Sequence, residues 1–473
     1  MKNSIIIGIA CFIVFSCKGK TAEEVKNEAQ IPEVVHVKHH TDLEKINFKQ
    51  PEWAKNAVIY EVNIRQYSPE GTFNKVTADL QRIKDLGVDV IWLMPIHPIG
   101  KKNRKGSMGS YYSVKDYKAV NPEFGTLDDF KNLVKKAHAM DMKVIIDWVA
   151  NHTAWDNVWV KEDINRYTAD SLGNRPIVPE GTDWEDTADL DYSNPSTREE
   201  MEDAMLYWVK ETDIDGYRCD VAGMVPLDFW TTLRPKLDEI KPVFMLAEDG
   251  EPQIHQAFNM SYAWDFLHLM NDVAKGKKRI TEVQDYIAKR DSLYQKEDVL
   301  MYFTTNHDEN SWNKTVFQRY GRNHKNFATL AFTLDGMPLI YSGQEVGNKK
   351  ELQFFEKDII NWKSDPDSLQ TFYKDLIKVY KETPAFWTGE NKGTIEFIDS
   401  KSKNVLIYQR EASQQSPVTV ILNFGYKDYW MPAEVANQII PQDVGVNILF
   451  GGDFITEKGN FYVPKYEGRI VSF

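Results

Sequence analysis

From Ala57 onward, short apolar runs alternate with amphipathic stretches, the pattern of parallel strands joined by crossover helices. Val58 to Ile64 predicts the first strand. Val76, Leu80 and Ile83 line one helix face that Gly87 ends, and Val88 to Leu93 predicts the second strand. Thr126 predicts the cap of a helix carrying Phe130, Val134 and Ala137, with the strand Val144 to Asp147 after it. Ser196 and Glu199 have capping-box spacing ahead of Met201, Met205 and Val209, and the strand Gly216 to Asp220 follows. Val243 to Glu248, Ser261 to Phe266, Val299 to Thr305 and Met337 to Tyr341 complete a set of eight. Eight β-α units within roughly 330 residues predict an α/β fold, a (β/α)8 TIM barrel and not an open doubly wound sheet. No Gly-rich dinucleotide fingerprint follows the first strand.

Two stretches depart from a minimal barrel. Between Val149 and Asn194 the third strand leads into a segment containing Gly, Pro and Asp, which predicts a small inserted domain over 153–190. After about Thr388 the helical pattern gives way to runs such as Val405 to Tyr408 and Val418 to Leu422 with turn residues between them. These predict a C-terminal antiparallel β-sandwich domain over 385–473, following a barrel over 51–384.

The first 50 residues read differently. Lys2 and the apolar run from Ile5 to Val14 form a signal over 1–16, too short for a comfortable permanent span. Val14-Phe15-Ser16-Cys17 resembles a bacterial lipobox, which predicts lipidation at Cys17 and export to the cell envelope of a Gram-negative bacterium, at its outer membrane or periplasmic face. Residues 17–50 are polar and Lys/Glu-rich, a tether; His36, His39 and His40 lie in it and read as solvated linker residues. Only Cys219 falls in the globular part, so no disulfide framework holds it.

Composition narrows the function. The chain has 473 residues, 42% of them hydrophobic, enough for a full core. Its net charge of −13, spread along the chain, argues against a nucleic-acid partner. The 13 Trp and 22 Tyr serve either a large aromatic core or the apolar faces of sugars.

In a barrel, polar residues that end apolar strands sit at the C-terminal rim, where active sites are built. Four strand ends carry such residues: Asp147, the Arg218/Asp220 pair, Glu248, and the His307/Asp308 pair. Arg218 and Asp220 are two apart on a strand and face the same way, so the guanidinium is expected to keep Asp220 ionised, as a nucleophile requires. Glu248 follows Val243-Phe-Met-Leu-Ala247, an apolar surround expected to hold its carboxyl protonated, as a general acid requires. One ionised and one protonated carboxyl across a rim suit glycoside hydrolysis. Each residue also has a structural alternative: Arg218 in a buried salt bridge with Asp147 or Asp220, and Asp308 as a helix cap.

At these residues the sequence resembles the α-amylase family of retaining, α-glucoside-acting barrel enzymes, from about Val58 to Phe473. Asp147-Trp-Val-Ala-Asn151-His152 is similar to the family's D-x-x-x-N-H, Gly216-Tyr-Arg218-Cys-Asp220-Val-Ala222 to G-F-R-x-D-x-A, Ala247-Glu248 to G-E, and Asn306-His307-Asp308 to N-H-D. Asp189-Leu-Asp191-Tyr-Ser-Asn194-Pro195, Tyr112, and Gly336 to Glu345 add to the resemblance. It implies an α-1,4-glucan substrate such as starch or maltooligosaccharides. It implies Asp220 as nucleophile, Glu248 as acid and base, and Asp308 as the group that holds ring hydroxyls. It implies further that His152 and His307 bond the sugar, Arg218 orients Asp220, and Tyr112 stacks under the ring. No metal joins the chemistry, while Asn151 and Asp189 stand where structural calcium ligands occur in the family. The sequence departs from the family at Gly223 and Met224, where Lys-His is frequent, and at Ser113, where Asp is frequent. Ala188-Asp-Leu-Asp191 matches neither variant of the α-1,6-acting relatives. A cyclomaltodextrinase, neopullulanase or α-glucosidase, a transglycosylase, and a non-catalytic glucan-binding lipoprotein are the other readings of this sequence.

Overall fold

The computed structural model describes residues 48, 50–365, 368–389, 392–413, 415–441, 445–456 and 459–473. The signal segment, Cys17, nearly all of the tether and its three histidines lie outside the described residues. Among the described residues no helix is long and apolar enough to cross a membrane.

The first apolar runs form β1 (Ile59–Val62), β2 (Val90–Leu93) and β3 (Lys143–Trp148). A two-stranded antiparallel unit follows, β4 (His152–Ala154) with β5 (Thr187–Asp189), in which His152 lies opposite Asp189. The chain then returns to the main sheet through β6 (Gly216–Cys219), β7 (Phe244–Ala247), β8 (Met260–Tyr262), β9 (Val299–Tyr302) and β10 (Met337–Tyr341). The order β1-β2-β3-β6-β7-β8-β9-β10 closes on itself through β1 and β10, all parallel. This is the (β/α)8 barrel that the eight runs predict. Every residue of β1, β2, β6, β7, β9 and β10 is buried, which is why these segments read as unbroken apolar runs.

The details follow local chemistry. Thr126 and Asp129 cap the helix Leu127–His138 reciprocally, and Gly87 ends the helix Phe73–Leu86 at φ 105°. The predicted capping box at Ser196 and Glu199 does not form. Asn194 caps the helix Pro195–Thr212 instead, accepting from Ser196 N–H, with Pro195 at the first helical position. The run Ser261 to Phe266, predicted as strand throughout, is strand only to Tyr262, and a helix starts at Trp264. An apolar run without punctuation carries no period to separate the two. Gly216 is required where it stands: at φ 149°, a Cβ there would lie 1.8 Å from the Phe244 carbonyl oxygen of β7.

Beyond the barrel lie β11 (Thr394–Ile398), β12 (Val405–Glu411), β13 (Val418–Asn423), β14 (Tyr429–Trp430), β15 (Asn447–Phe450), β16 (Tyr462–Val463) and β17 (Gly468–Ser472). They make a five-stranded sheet, β11-β12-β13-β17-β15, antiparallel throughout, and a separate β14-β16 pair. Both faces of the five-stranded sheet are covered. Leu406, Tyr408, Val420 and Leu422 join the barrel's core, while Val405, Ile407 and Ile421 pack with Tyr429, Val435, Phe454 and Val463 on the other side. The helix Ala433–Ile439, which the strand pattern does not predict, supplies part of that second layer. Buried Arg410 ties sheet to barrel, donating to the carbonyls of Thr333, Gly393 and Thr394.

Candidate active site

Strand register builds the site. In the β3–β6 pair Asp147 stands beside Arg218, and in the β6–β7 pair Cys219 stands beside Ala247. The next residue on each of β6 and β7 is therefore a carboxylate. Asp220 and Glu248 emerge side by side at the rim, their backbone N–H groups still bonded to Trp148 and Cys219 carbonyls. The chain then turns sharply. Val221 sits at φ 36°, ψ 47°, a left-handed conformation costly for a β-branched residue, and from it donates its N–H to Glu248 Oε2 at 2.8 Å.

Arg218 lies fully buried among these acids. Its Nη1 donates to Asp147 Oδ1 at 2.9 Å and to Asp220 Oδ1 at 3.0 Å, and its Nε donates to the Tyr262 hydroxyl at 3.1 Å. Nη2 pairs with Glu248 Oε1 at 2.8 Å, off the hydrogen-bond direction. The rings of Trp92, Tyr112 and Tyr262 surround the guanidinium at 5.2 to 5.7 Å. Asp147 is held from below by Trp92 Nε1 and the Tyr112 hydroxyl, so it supports Arg218 and does not line the cavity. The salt-bridge alternative thus holds for Arg218 and Asp147 without taking Asp220 out of the cavity.

Burial dominates the protonation of the pair. It pushes Glu248 up to about 7, against the pull of Arg218 and with help from Asp220 and Asp308. It also pushes Asp220 up to about 6, again against Arg218. At that value Asp220 is mostly ionised at neutral pH, with desolvation outweighing the guanidinium. Both carboxyls therefore hold a proton more tightly than in water.

Asp308 behaves oppositely. Burial raises it, but the His307 charge, the His307 hydrogen bond and Arg218 bring it below the usual carboxylate value. His307 is itself raised well above an ordinary histidine, because Asp308 and Glu61 outweigh its desolvation. Its Nδ1 donates to Glu61 Oε1 at 2.5 Å, and its Nε2 faces the Tyr112 hydroxyl at 2.7 Å and Asp308 Oδ2 at 3.2 Å. Both ring nitrogens are therefore engaged within the protein. Asn306, not Asp308, caps the helix His307–Trp312.

Tyr112, His152, Asp220, Glu248, His307 and Asp308 line one cavity of about 500 Å³. His152 is buried and held neutral, its value pushed down to about 3 by desolvation. A larger cavity of about 820 Å³, between the helix Leu369–Glu382 and β15, carries none of the strand-end residues.

The alpha-amylase catalytic domain, as a family, matches residues 38–173 and 182–416. The chain belongs to the alpha-amylase family. The chain is 28% identical to an alpha-amylase of Haloarcula japonica over 80% of its own length, spanning 57% of that protein. It is 26% identical to an intracellular maltogenic amylase of Bacillus subtilis, over 82% of this chain and 72% of that one. A noncanonic maltogenic alpha-amylase of Thermotoga neapolitana superposes with a TM-score of 0.78 at 31% identity, covering 88% of this chain and 98% of the other.

Within this alpha-amylase-family site, two of the positions that depart from the family pattern, Gly223 and Ser113, have structural reasons. A Cβ at Gly223 would lie 2.0 Å from Asp249 Oδ2, so the neighbour of Glu248 occupies the space that a side chain there would take. Ser113 donates to the Asp186 carbonyl at 2.8 Å, tying the Tyr112 loop to the segment ahead of β5. Asn151 places its side-chain NH2 3.2 Å from His152 Nδ1, and its main-chain carbonyl accepts from Leu190 N–H. Asp189 is raised by burial and takes a hydrogen bond from Thr168, with Asp191 and Glu180 adding negative charge nearby. Among the described residues no three His, Cys, Asp or Glu side chains converge as a metal site. Asn151 and Asp189 stand near each other, joined through the His152–Asp189 register pair and the bond from Leu190 N–H to the Asn151 main-chain carbonyl.

Four aromatic cavity residues and one support escape the motif reading: Trp184, Trp312, Phe354 and Phe355 line the cavity, and Glu61 backs His307. Glu61 carries a signal in the sequence, a charge in the middle of the apolar run Val58 to Ile64.

Proposed function

We propose that this alpha-amylase-family glycoside hydrolase cleaves α-1,4-glucosidic bonds of starch or maltooligosaccharides with retention. Asp220 attacks the anomeric carbon as Glu248 gives its proton to the leaving oxygen, so one C–O bond forms while the glycosidic C–O bond breaks. Glu248, now ionised, takes a proton from water, whose oxygen displaces Asp220 and restores both carboxyls. Asp308, ionised beside the His307 cation, holds the ring hydroxyls and offsets the positive charge growing on the sugar. Arg218 orients Asp220 from beneath, Tyr112 stacks under the sugar, and His152 bonds it. The observation that carries this reading is the adjacent emergence of Asp220 and Glu248 from β6 and β7 into one cavity, Asp220 bonded to Arg218 and Glu248 to the Val221 N–H.

A timed product profile from maltoheptaose tests it, with Asp220→Asn as the blank. Maltooligosaccharides absent from the blank support the reading, and no products overturn it in favour of a glucan-binding protein. The resemblance to maltogenic amylases favours a second reading, a ring-opening or pullulan-cleaving relative. Faster turnover of β-cyclodextrin or pullulan than of maltoheptaose would select it.

The lipobox-like Val14 to Cys17 supports a second part of the proposal, that the chain is exported and lipidated at Cys17. The mass of the mature N-terminal peptide tests it: a diacylglyceryl-modified Cys17 supports anchoring, and an unmodified N-terminus overturns it.

A further inference from the structure

The catalytic cavity has an aromatic wall that runs on beyond the residues the proposed chemistry uses. His307 and Tyr112 stack at 5.5 Å and 22°, and Tyr112 and Phe354 at 6.1 Å and 15°. Phe354 meets Trp312 at 5.5 Å and 37°, and Phe355 braces Trp312 from a second side at 5.8 Å. Exposure rises along this series, from 8% at Tyr112 and 9% at Phe354 to 57% at Trp312. The rings thus step outward from the carboxylates to solvent. Trp184, tilted at 5.2 Å from His152, contributes a second tryptophan to the lining from the segment ahead of β5.

An exposed tryptophan usually turns among rotamers, but this one is fixed. Two phenylalanine rings hold its body, and its side-chain N–H is directed to Asp308, four residues back on the same helix. Its free face is apolar and flat, lines the cavity, and stands two ring steps, 6.1 and 5.5 Å, beyond Tyr112. The ring therefore extends the lining outward from the place where Asp220 and Tyr112 meet a sugar.

We propose that Trp312 is a specificity-determining residue that selects longer α-glucans, its exposed ring taking a glucosyl unit beyond the one at Tyr112 on the Asp308 side of the cleft. The inference rests on the reading of this cavity as an α-glucan site. The pre-set ring turns the extra unit into binding without a cost of ordering the side chain.

The test compares kcat/KM on maltohexaose and maltotriose for the wild type, Trp312→Ala and Trp312→Phe. Trp312→Ala is expected to lower the maltohexaose-to-maltotriose ratio about tenfold, mainly through KM for the longer substrate. Trp312→Phe keeps a ring but loses the N–H to Asp308. It is expected to lower kcat on both substrates and hold the ratio within about twofold of wild type. A ratio unchanged in Trp312→Ala overturns the proposal. So does a ratio that falls as far in Trp312→Phe as in Trp312→Ala, since the residue then acts through Asp308 alone. A wild type inert on both substrates overturns the hydrolase reading itself, which separates the two failures.

Discussion

Two sides of one cavity treat the same functional group in opposite ways. At the ends of β6 and β7, Asp220 and Glu248 share a single guanidinium among several acids, and burial leaves both above their ordinary values. After β9, Asp308 pairs with the His307 cation, whose charge Glu61 from β1 helps to sustain, and it lies below its ordinary value. Desolvation acts on all three carboxyls. What differs is how much positive charge each receives, and that division suits one group to give a proton, one to attack and one to stay anionic throughout.

The sharpest way to break the comparison is at the attacking group. Asp220→Asn should lower kcat by about 10⁴-fold or more on maltoheptaose, because no other group is placed to form the covalent bond. Residual turnover above a trace would show that the two sides have been assigned the wrong way round. Asp308→Asn should cost less, about 10² to 10³-fold in kcat, since it removes charge stabilisation and leaves the bond-making pair intact. A loss equal to that of Asp220→Asn would erase the distinction between the sides.

The wild-type pH profile sharpens it further. Activity needs Asp220 ionised, so kcat/KM should rise through about pH 6, and it needs Glu248 protonated, so kcat/KM should fall above about pH 7. A narrow bell between those limits is expected. A plateau extending above pH 8 would mean that Glu248 is not the acid.

The smallest effect concerns stability. The folded state holds the Glu248 proton more tightly than the unfolded chain, so its stabilising contribution is present below pH 4.5 and is lost as pH rises through about 7. Glu248→Gln escapes that loss and should be more stable than wild type by about 1 kcal/mol at pH 8, with no gain at pH 4. Thermal melts at the two pH values check this, and an equal change at both would place the effect in packing.

Much of this was legible in the sequence because the barrel writes its rim plainly. A fully buried strand is an apolar run, and the first polar residue after it marks the place where the strand leaves the core, as Asp220 and Glu248 show. The C-terminal runs were legible as strands, but their two buried faces, with Leu406 and Tyr408 toward the barrel and Val405 and Ile407 away from it, appear only once both neighbours are in place. Trp264 was misread because Ser261 to Phe266 has no punctuation. Charge balance was the least legible feature. Arg218 sits two residues from Asp220 in sequence and three acids share it in space, so its effect on any one of them depends on β3 and β7. Trp312 and Phe354 lie in segments far apart in the chain that only barrel closure brings together.

In the proposed reaction Asp220 makes the covalent bond while Glu248 carries the proton. Peptide mass spectrometry after reaction with a fluorinated α-glucosyl fluoride tests it most directly, since the fluorine slows release of the glycosyl-enzyme. One added glycosyl mass is expected on the peptide containing Asp220, lost when Asp220→Asn is used. A label on any other residue, or substrate turnover with an inverted anomer and no label, would contradict it.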